Sequence, residues 1–247
     1  MIKDSVYQLE KTSPFDSGVW LKYFETNKSN RSVQNFSGKP SLEPALRPSL
    51  IYTLQRFQVG ETGDGNHLRD YAQTTGDDAY MMCIDMFVKE EQEHARLLAQ
   101  VIQSMEGNLI KWHWTDAAFV SLRRLLGLNT EILVLYIAEI IGKSFYRVVR
   151  DNCADSSLSE LFDQIVHDEL GHLEFHCQYL VAKLGKMSAP VKSVMVLCWG
   201  FLFYSASCVF IIDNRDALAK LKMPMLSFLQ ECSKIFIGCA GRILDAG

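Results

Sequence analysis

Two segments of this chain carry the same arrangement of acid and imidazole side chains. Glu91 is followed three positions later by His94, and Glu169 three positions later by His172. A further glutamate precedes each pair at an offset of thirty residues: Glu61 before Glu91, and Glu139 before Glu169. At 3.6 residues per turn, positions i and i+3 share a helix face one turn apart. A carboxylate and an imidazole so placed converge on one point. An offset of thirty spans half a helix, a turn and half of the next helix, so the lone glutamate reaches that point from a neighbouring antiparallel helix. Random placement of the 14 Glu and 6 His would give about 0.3 Glu-x-x-His matches in a chain of this length. One match means little; two, each with a glutamate at an equal upstream offset, constrain the fold to paired long helices facing one another.

The six residues Glu61, Glu91, His94, Glu139, Glu169 and His172 make a ligand set for two divalent metals inside a four-helix bundle. Four carboxylates and two M²⁺ ions balance in charge. Without metal, burying the carboxylates costs several kcal/mol each, roughly, so they would protonate or stay wet.

Composition narrows the class further. The chain has 247 residues, of which 48% are hydrophobic, enough for one large domain with a sizeable core. The net charge is −4 with no Lys/Arg cluster, which argues against nucleic acid as a partner. The seven cysteines are scattered and lack any Cys-x-x-Cys pair. That pattern suits a reduced cytoplasmic protein rather than a disulfide scaffold or a sulfur-ligated metal site. Met1 to Glu10 holds no apolar signal-peptide core.

Helical periodicity and punctuation divide the chain into three parts. Residues 1–49 read as an irregular N-terminal arm, rich in Asn, Ser, Gly and Pro from Thr26 to Pro48, anchored by Phe15, Trp20, Tyr23 and Phe24. Residues 50–185 read as the bundle. Its first helix is expected over 49–71, with Gly60, Gly63 and Gly65 around Glu61 marking either a bulge at the metal or a helix break. Further helices are expected from Asp77 or Asp78 to Gly107, from Asn129 to Arg150, and from Ser156 or Ser157 to Gly185, with a short one over 115–126. Residues 186–247 read as a helical extension, with one segment opened by Ser188-Ala189-Pro190 and another after Met223-Pro224. No strand signal compares in length, so the fold class is all-α.

Val194 to Ile212 runs for nineteen residues without a charge. Burial against the bundle is the expected use of this segment; peripheral docking on a membrane or a true span stay open as alternatives.

With these residues in this order, the chain resembles the ferritin-like di-iron carboxylate superfamily over roughly residues 50–185. The resemblance implies that Glu91 and Glu169 bridge two metals and carry the catalytic centre. It makes Glu61 and Glu139 terminal ligands and assigns His94 and His172 to one metal each. It implies two Fe ions as cofactor, with Mn as the other choice. The acid before each bridging glutamate, Glu90 and Asp168, is then expected to accept a hydrogen bond from the histidine of the opposite motif, Asp168 from His94 and Glu90 from His172. His176, on the stripe of Glu169 and His172, is a further candidate beside the metals, as a ligand, an acid/base or a core histidine. Asp64 and His67 are read as outer support or surface, and His113 as packed between Trp112 and Trp114. Phe57, Phe87, Tyr136 and Tyr146 lie one turn from ligands and are the candidate substrate-binding residues. Lys143 departs from the threonine that bacterial multicomponent monooxygenases carry at that place.

The activity implied is that of a non-haem di-iron oxidase or oxygenase. It would use O₂ and an electron donor or reductase to hydroxylate, N-oxygenate or desaturate a small or mid-sized organic molecule. A dimanganese catalase and a ferritin-like iron storage or detoxification protein are the alternatives. An enzyme of this kind would run as a monomer or a small oligomer such as a homodimer, and the long additions at both ends fit that better than a storage cage.

Overall fold

The computed structural model describes residues 14–33, 35–114, 120–121 and 127–246. All regular structure among them is helical. Of the helix expected over 115–126, only residues 120–121, both helical, are among the described residues; the rest lies outside them.

The helices are α1 (Ser17–Asn30), α2 (Leu46–Glu61), α3 (Asn66–Gln73), α4 (Asp78–Ser104), α5 (Leu128–Asn152), α6 (Ser156–Leu184), α7 (Ala189–Asp213), α8 (Arg215–Lys220) and α9 (Met225–Asp245). Their starts follow from local chemistry. The side chains of Asp16, Asp77 and Asp155 accept hydrogen bonds from the first-turn amides of α1, α4 and α6, which satisfies donors that have no partner inside the helix. Pro190 in the first turn of α7 loses nothing, because the N–H it lacks would be unpaired there.

Four long helices form the centre. α5 runs along α6, α2 along α4, and α4 meets α6 across the core. α3 lies against α4 and α5, α7 and α9 pack on α5 and on each other, α9 also touches α6, and α8 lies against α2.

The N-terminal arm is not wholly irregular. Residues 17–30 form α1, whose Trp20 and Phe24 are fully buried. Trp20 meets Phe175 edge-on at 5.4 Å and donates from its indole nitrogen to Gln178 Oε1 at 2.9 Å. Glycine permits this approach. A Cβ on Gly171 would stand 2.2 Å from the Tyr23 hydroxyl, so only a residue without a side chain lets α1 lie this close to α6. The irregular reading of the arm fits the described residues 31–33 and 35–45, which carry no helix.

The single helix expected over 49–71 is two. α2 stops at Glu61, and the turn after it passes through Gly65 at φ +67° before α3 begins. Gly65 also packs against Val88, where a Cβ would come within 2.6 Å of both methyl groups. The break therefore has a steric cause as well as a conformational one.

α7 departs from expectation in the other direction. It buries one stripe, Trp199, Phe203, Ser207 and Ile211 at a spacing of four, and leaves most of its apolar surface exposed. Phe201, Leu197 and Ile212 are among the most exposed large apolar residues described. By length and composition alone it is able to cross a membrane, and it is the one described helix of which this is true. The uncharged run is long enough to cover α7 all round, but α5 and α9 touch only one side of it.

Candidate metal centre

The six candidate residues come from four helices and meet in the core. Glu61 ends α2, Glu91 and His94 lie on α4, Glu139 on α5, and Glu169 and His172 on α6. His94, Glu139, Glu169 and His172 are buried, and Glu61 and Glu91 are half-buried. Their ligand atoms form two groups able to hold a metal ion. One contains Glu91, Glu139, Glu169 and His172; the other contains Glu61, His94 and Glu169. Glu169 belongs to both.

The carboxylate geometry shows how the groups join. Glu169 directs Oε1 to His94 Nδ1 at 3.4 Å and Oε2 to His172 Nδ1 at 3.8 Å. Glu91 Oε1 lies 3.5 Å from His94 Nδ1 and 3.1 Å from His172 Nδ1. Glu139 Oε2 stands 3.5 Å from His172 Nδ1.

Each imidazole is held from behind. His94 Nε2 donates to Asp168 Oδ2 at 3.0 Å, and His172 Nε2 donates to Glu90 Oε2 at 2.9 Å. Both acids are buried, and the pairing crosses between the motifs as expected, so Glu90 is not a solvated side chain. These bonds commit the Nε2 atoms and turn both Nδ1 atoms toward the carboxylates.

That arrangement leaves the inner atoms without partners. His94 Nδ1, His172 Nδ1, Glu91 Oε1, Glu139 Oε2 and Glu169 Oε2 are buried and make no hydrogen bond. Buried polar atoms are nearly always paired, so five orphans facing one another need a common partner. A pair of divalent cations fits: the atoms are oxygen and imidazole nitrogen donors, and four carboxylates balance two M²⁺.

The metal-free electrostatics show the same need. Burial and the neighbouring charge of Glu91 hold Glu61 well above the usual carboxylate range, and burial with Glu91 and Glu169 does so for Glu139. Burial also opposes ionisation of Glu91 and Glu169, but the close approach of neighbouring groups, Glu61 and then the two imidazoles for Glu91 and the two imidazoles for Glu169, outweighs it and holds both low. Burial disfavours the imidazolium of His94 and His172, yet the surrounding carboxylates raise both well above the ordinary histidine value. Imidazolium at His94 and His172 and ionised carboxylate at Glu91 and Glu169 thus favour one another.

The supporting acids have partners that sequence reasoning missed. Asn27 Nδ2, on α1, donates to Glu90 Oε1 at 2.9 Å and to Asp168 Oδ1 at 2.8 Å. Arg31 and Gln164 also donate to Asp168. Burial opposes its charge, but His94, Arg31 and Asn27 prevail and keep Asp168 ionised down to about 2. Asn27 and Arg31 lie in the segment read as an arm, where no helical stripe or motif marks them.

The remaining candidates separate. Tyr146 is fully buried and donates to Glu61 Oε1 at 2.9 Å. His176 is fully buried between Phe87 and Phe175 and neither ring nitrogen is hydrogen-bonded. Burial, then the charge of His172, holds it neutral down to about 3. His67 pairs through Nδ1 with buried Glu131 at 2.8 Å, tying α3 to α5 away from the cluster, and Asp64 accepts from Asn66 in the exposed turn. Lys143 is buried, and burial lowers its pKa. Trp112 and Trp114 are exposed, and half-buried His113 meets the Trp114 ring at 6.0 Å outside the core.

A cavity of about 360 Å³ reaches the cluster. Glu61, Glu91, Glu139 and Glu169 line one part of it. Its apolar wall comes from α2 (Phe57), α5 (Leu135, Ala138) and α7 (Leu202, Ala206, Phe210). Of the four aromatic residues expected there, Phe57 lines the cavity. Phe87, Tyr136 and Tyr146 do not, because each is packed in the core: Phe87 on His172 and His176, Tyr136 on Trp199, Tyr146 on Phe162. The α7 contribution was invisible in sequence because a cavity wall and a packed core use the same residues.

Comparison of the chain with protein-family models, with curated proteins and with solved structures gives no match. The class defined here is therefore a physical one: an all-helical protein with a buried Glu/His cluster able to hold metal.

Proposed function

We propose that this chain is a di-iron oxidoreductase, built on a ferritin-like bundle of α2, α4, α5 and α6, that uses O₂ to oxidise an organic molecule. One observation carries the reading: two groups of orphaned Glu and His atoms share Glu169 beside a largely apolar cavity. Glu61, Glu91, His94, Glu139, Glu169 and His172 would hold the two ions. When bound, the ions supply the redox chemistry that reduces O₂. For hydroxylation the balance is R–H + O₂ + 2e⁻ + 2H⁺ giving R–OH + H₂O, and an electron donor provides the two electrons.

The chain's own residues position and shield. Asp168 and Glu90 fix the ring planes of His94 and His172, and Asn27 holds both acids in one bridge. Tyr146 restrains Glu61 at the end of its helix. Phe57, Leu202 and Phe210 keep the approach dry, which strengthens electrostatic contacts at the cluster. A cavity of this kind favours an organic substrate over peroxide dismutation by a dimanganese site, which needs no such room, and over storage.

The test is metal content after anaerobic loading with Fe²⁺ or Mn²⁺ in separate samples, followed by air. About two irons per chain, with an absorption change on exposure to O₂, is the expected result. Two manganese with no response of the iron sample would favour the dimanganese catalase reading, and uptake of neither metal would overturn the metal reading altogether.

A further inference from the structure

The cavity wall carries information about what enters it. Its cationic member among the described residues is Arg56, and Arg56 is already matched: its Nε stands 3.2 Å from Asp213 Oδ2, and Tyr52 donates to the other oxygen of Asp213 at 2.7 Å. The four glutamates at the cluster balance two M²⁺. No charge on the described wall is left over to meet a charged ligand.

One side of the opening is apolar as well. Val209 lines the cavity and is 42% exposed, so it stands at the boundary between the cavity and the protein surface. It lies on α7 beside the exposed face that carries Phe201 and Ile212. α7 thus turns one apolar side to the cavity and another to the exterior. A molecule approaching Val209 meets apolar side chains of α7, with the matched Arg56–Asp213 pair one turn away. The exposed Ala138 side chain, on α5 next to Glu139, faces the same space. Gly142, one turn further along, leaves room that a larger residue would fill.

We infer that the substrate is an uncharged, predominantly aliphatic small molecule, which enters beside Val209 with its apolar body between α5 and α7. A cavity of about 360 Å³ is of the size that holds a small organic molecule. Burying an unpaired ion against the described wall residues is costly, which disfavours the ionised analogue. This inference rests on the proposed metal reading for the statement that the bound molecule is oxidised; the ligand class itself rests on the cavity.

The test compares decan-1-ol with decanoate, which match in length and differ in charge. Isothermal titration calorimetry on the full chain, metal-loaded, measures both, and elemental analysis of the same samples measures metal. Decan-1-ol is expected to bind at one site at least roughly tenfold more tightly than decanoate. Ala138→Phe, which fills the cavity, and Val209→Asp, which puts a charge at an exposed position, should each weaken decan-1-ol by roughly tenfold or more while metal content and circular dichroism stay unchanged. Equal affinity for the two ligands, or native affinity in both variants, would overturn the inference and leave the metal reading standing. Selective decan-1-ol binding by a chain that takes up no metal would support the ligand class and overturn the metal reading.

Discussion

The two halves of the cluster are written alike and built differently. Glu61 is the last residue of α2, half-buried, with a turn through Gly65 behind it and a hydrogen bond from Tyr146 on one oxygen. Glu139 lies in the middle of α5, buried, with Oε2 unpartnered. An equal offset to the Glu-x-x-His motif therefore places both carboxylates at the centre but gives them different freedom. A residue at a helix end is held by fewer neighbours, so Glu61 has room to rearrange, and Tyr146 supplies part of the restraint that the backbone supplies to Glu139.

The shared residue sets the largest effect. Glu169→Ala should reduce metal uptake from about two ions per chain to below one, because Glu169 belongs to both groups. Retention of two ions would refute the geometry. The contrast between the halves is tested next. Glu139→Ala should weaken metal binding roughly a hundredfold and Glu61→Ala roughly tenfold, measured by competition with a chelator. Equal losses would show that the helix end confers no freedom.

The supporting acids sharpen the same contrast. Asp168 accepts from four side chains and Glu90 from two. Asp168→Asn should therefore cost roughly 10–100-fold in metal affinity, and Glu90→Gln less. Protons report on the whole site. His94, His172, Glu61 and Glu139 all hold their protons above the usual pH in the metal-free chain. Metal must displace them, so affinity rises with pH, and calorimetry in buffers of different ionisation enthalpy should show proton release. Asp168 acts with the opposite sign: its folded pKa is depressed to about 2. Its contribution to stability is complete above the ordinary aspartate value and is lost as pH falls toward about 2. Thermal melts of the metal-free chain from pH 6 downward should show that loss, and Asp168→Asn should flatten it.

Two smaller changes address the end of α2. Gly65→Ala should destabilise by roughly 1–3 kcal/mol in thermal unfolding, from the positive φ and the overlap with Val88. Tyr146→Phe should cost about 1 kcal/mol and shift metal affinity on the His94 side only.

Much of this architecture was legible along the chain. Asp77 marks the start of α4 by capping it and Pro190 that of α7 by needing no amide partner, and these starts, like that of α6 at Ser156, fall where they were expected. Glu91 with His94, and Glu169 with His172, share a face because the backbone period puts them there. The crossed bonds from His94 to Asp168 and from His172 to Glu90 are those that the resemblance implied for the acid before each motif. α1 was not legible, because its apolar residues look like the anchors of an irregular arm. Asn27 was not legible either, since its value lies in reaching two acids 63 and 141 residues away.

The sequence by itself determined α4, α5, α6 and α7 and the six residues that face one another, because helical period and capping act over one or two turns. Tertiary structure alone decided that the glycine run around Glu61 is a break with Gly65 packed on Val88, that α1 covers the supporting acids, and that α7 shares one side with the cavity and leaves another exposed. Those outcomes depend on which surfaces meet across the core, and a Leu or Phe that fills a core is the same residue as one that walls a cavity.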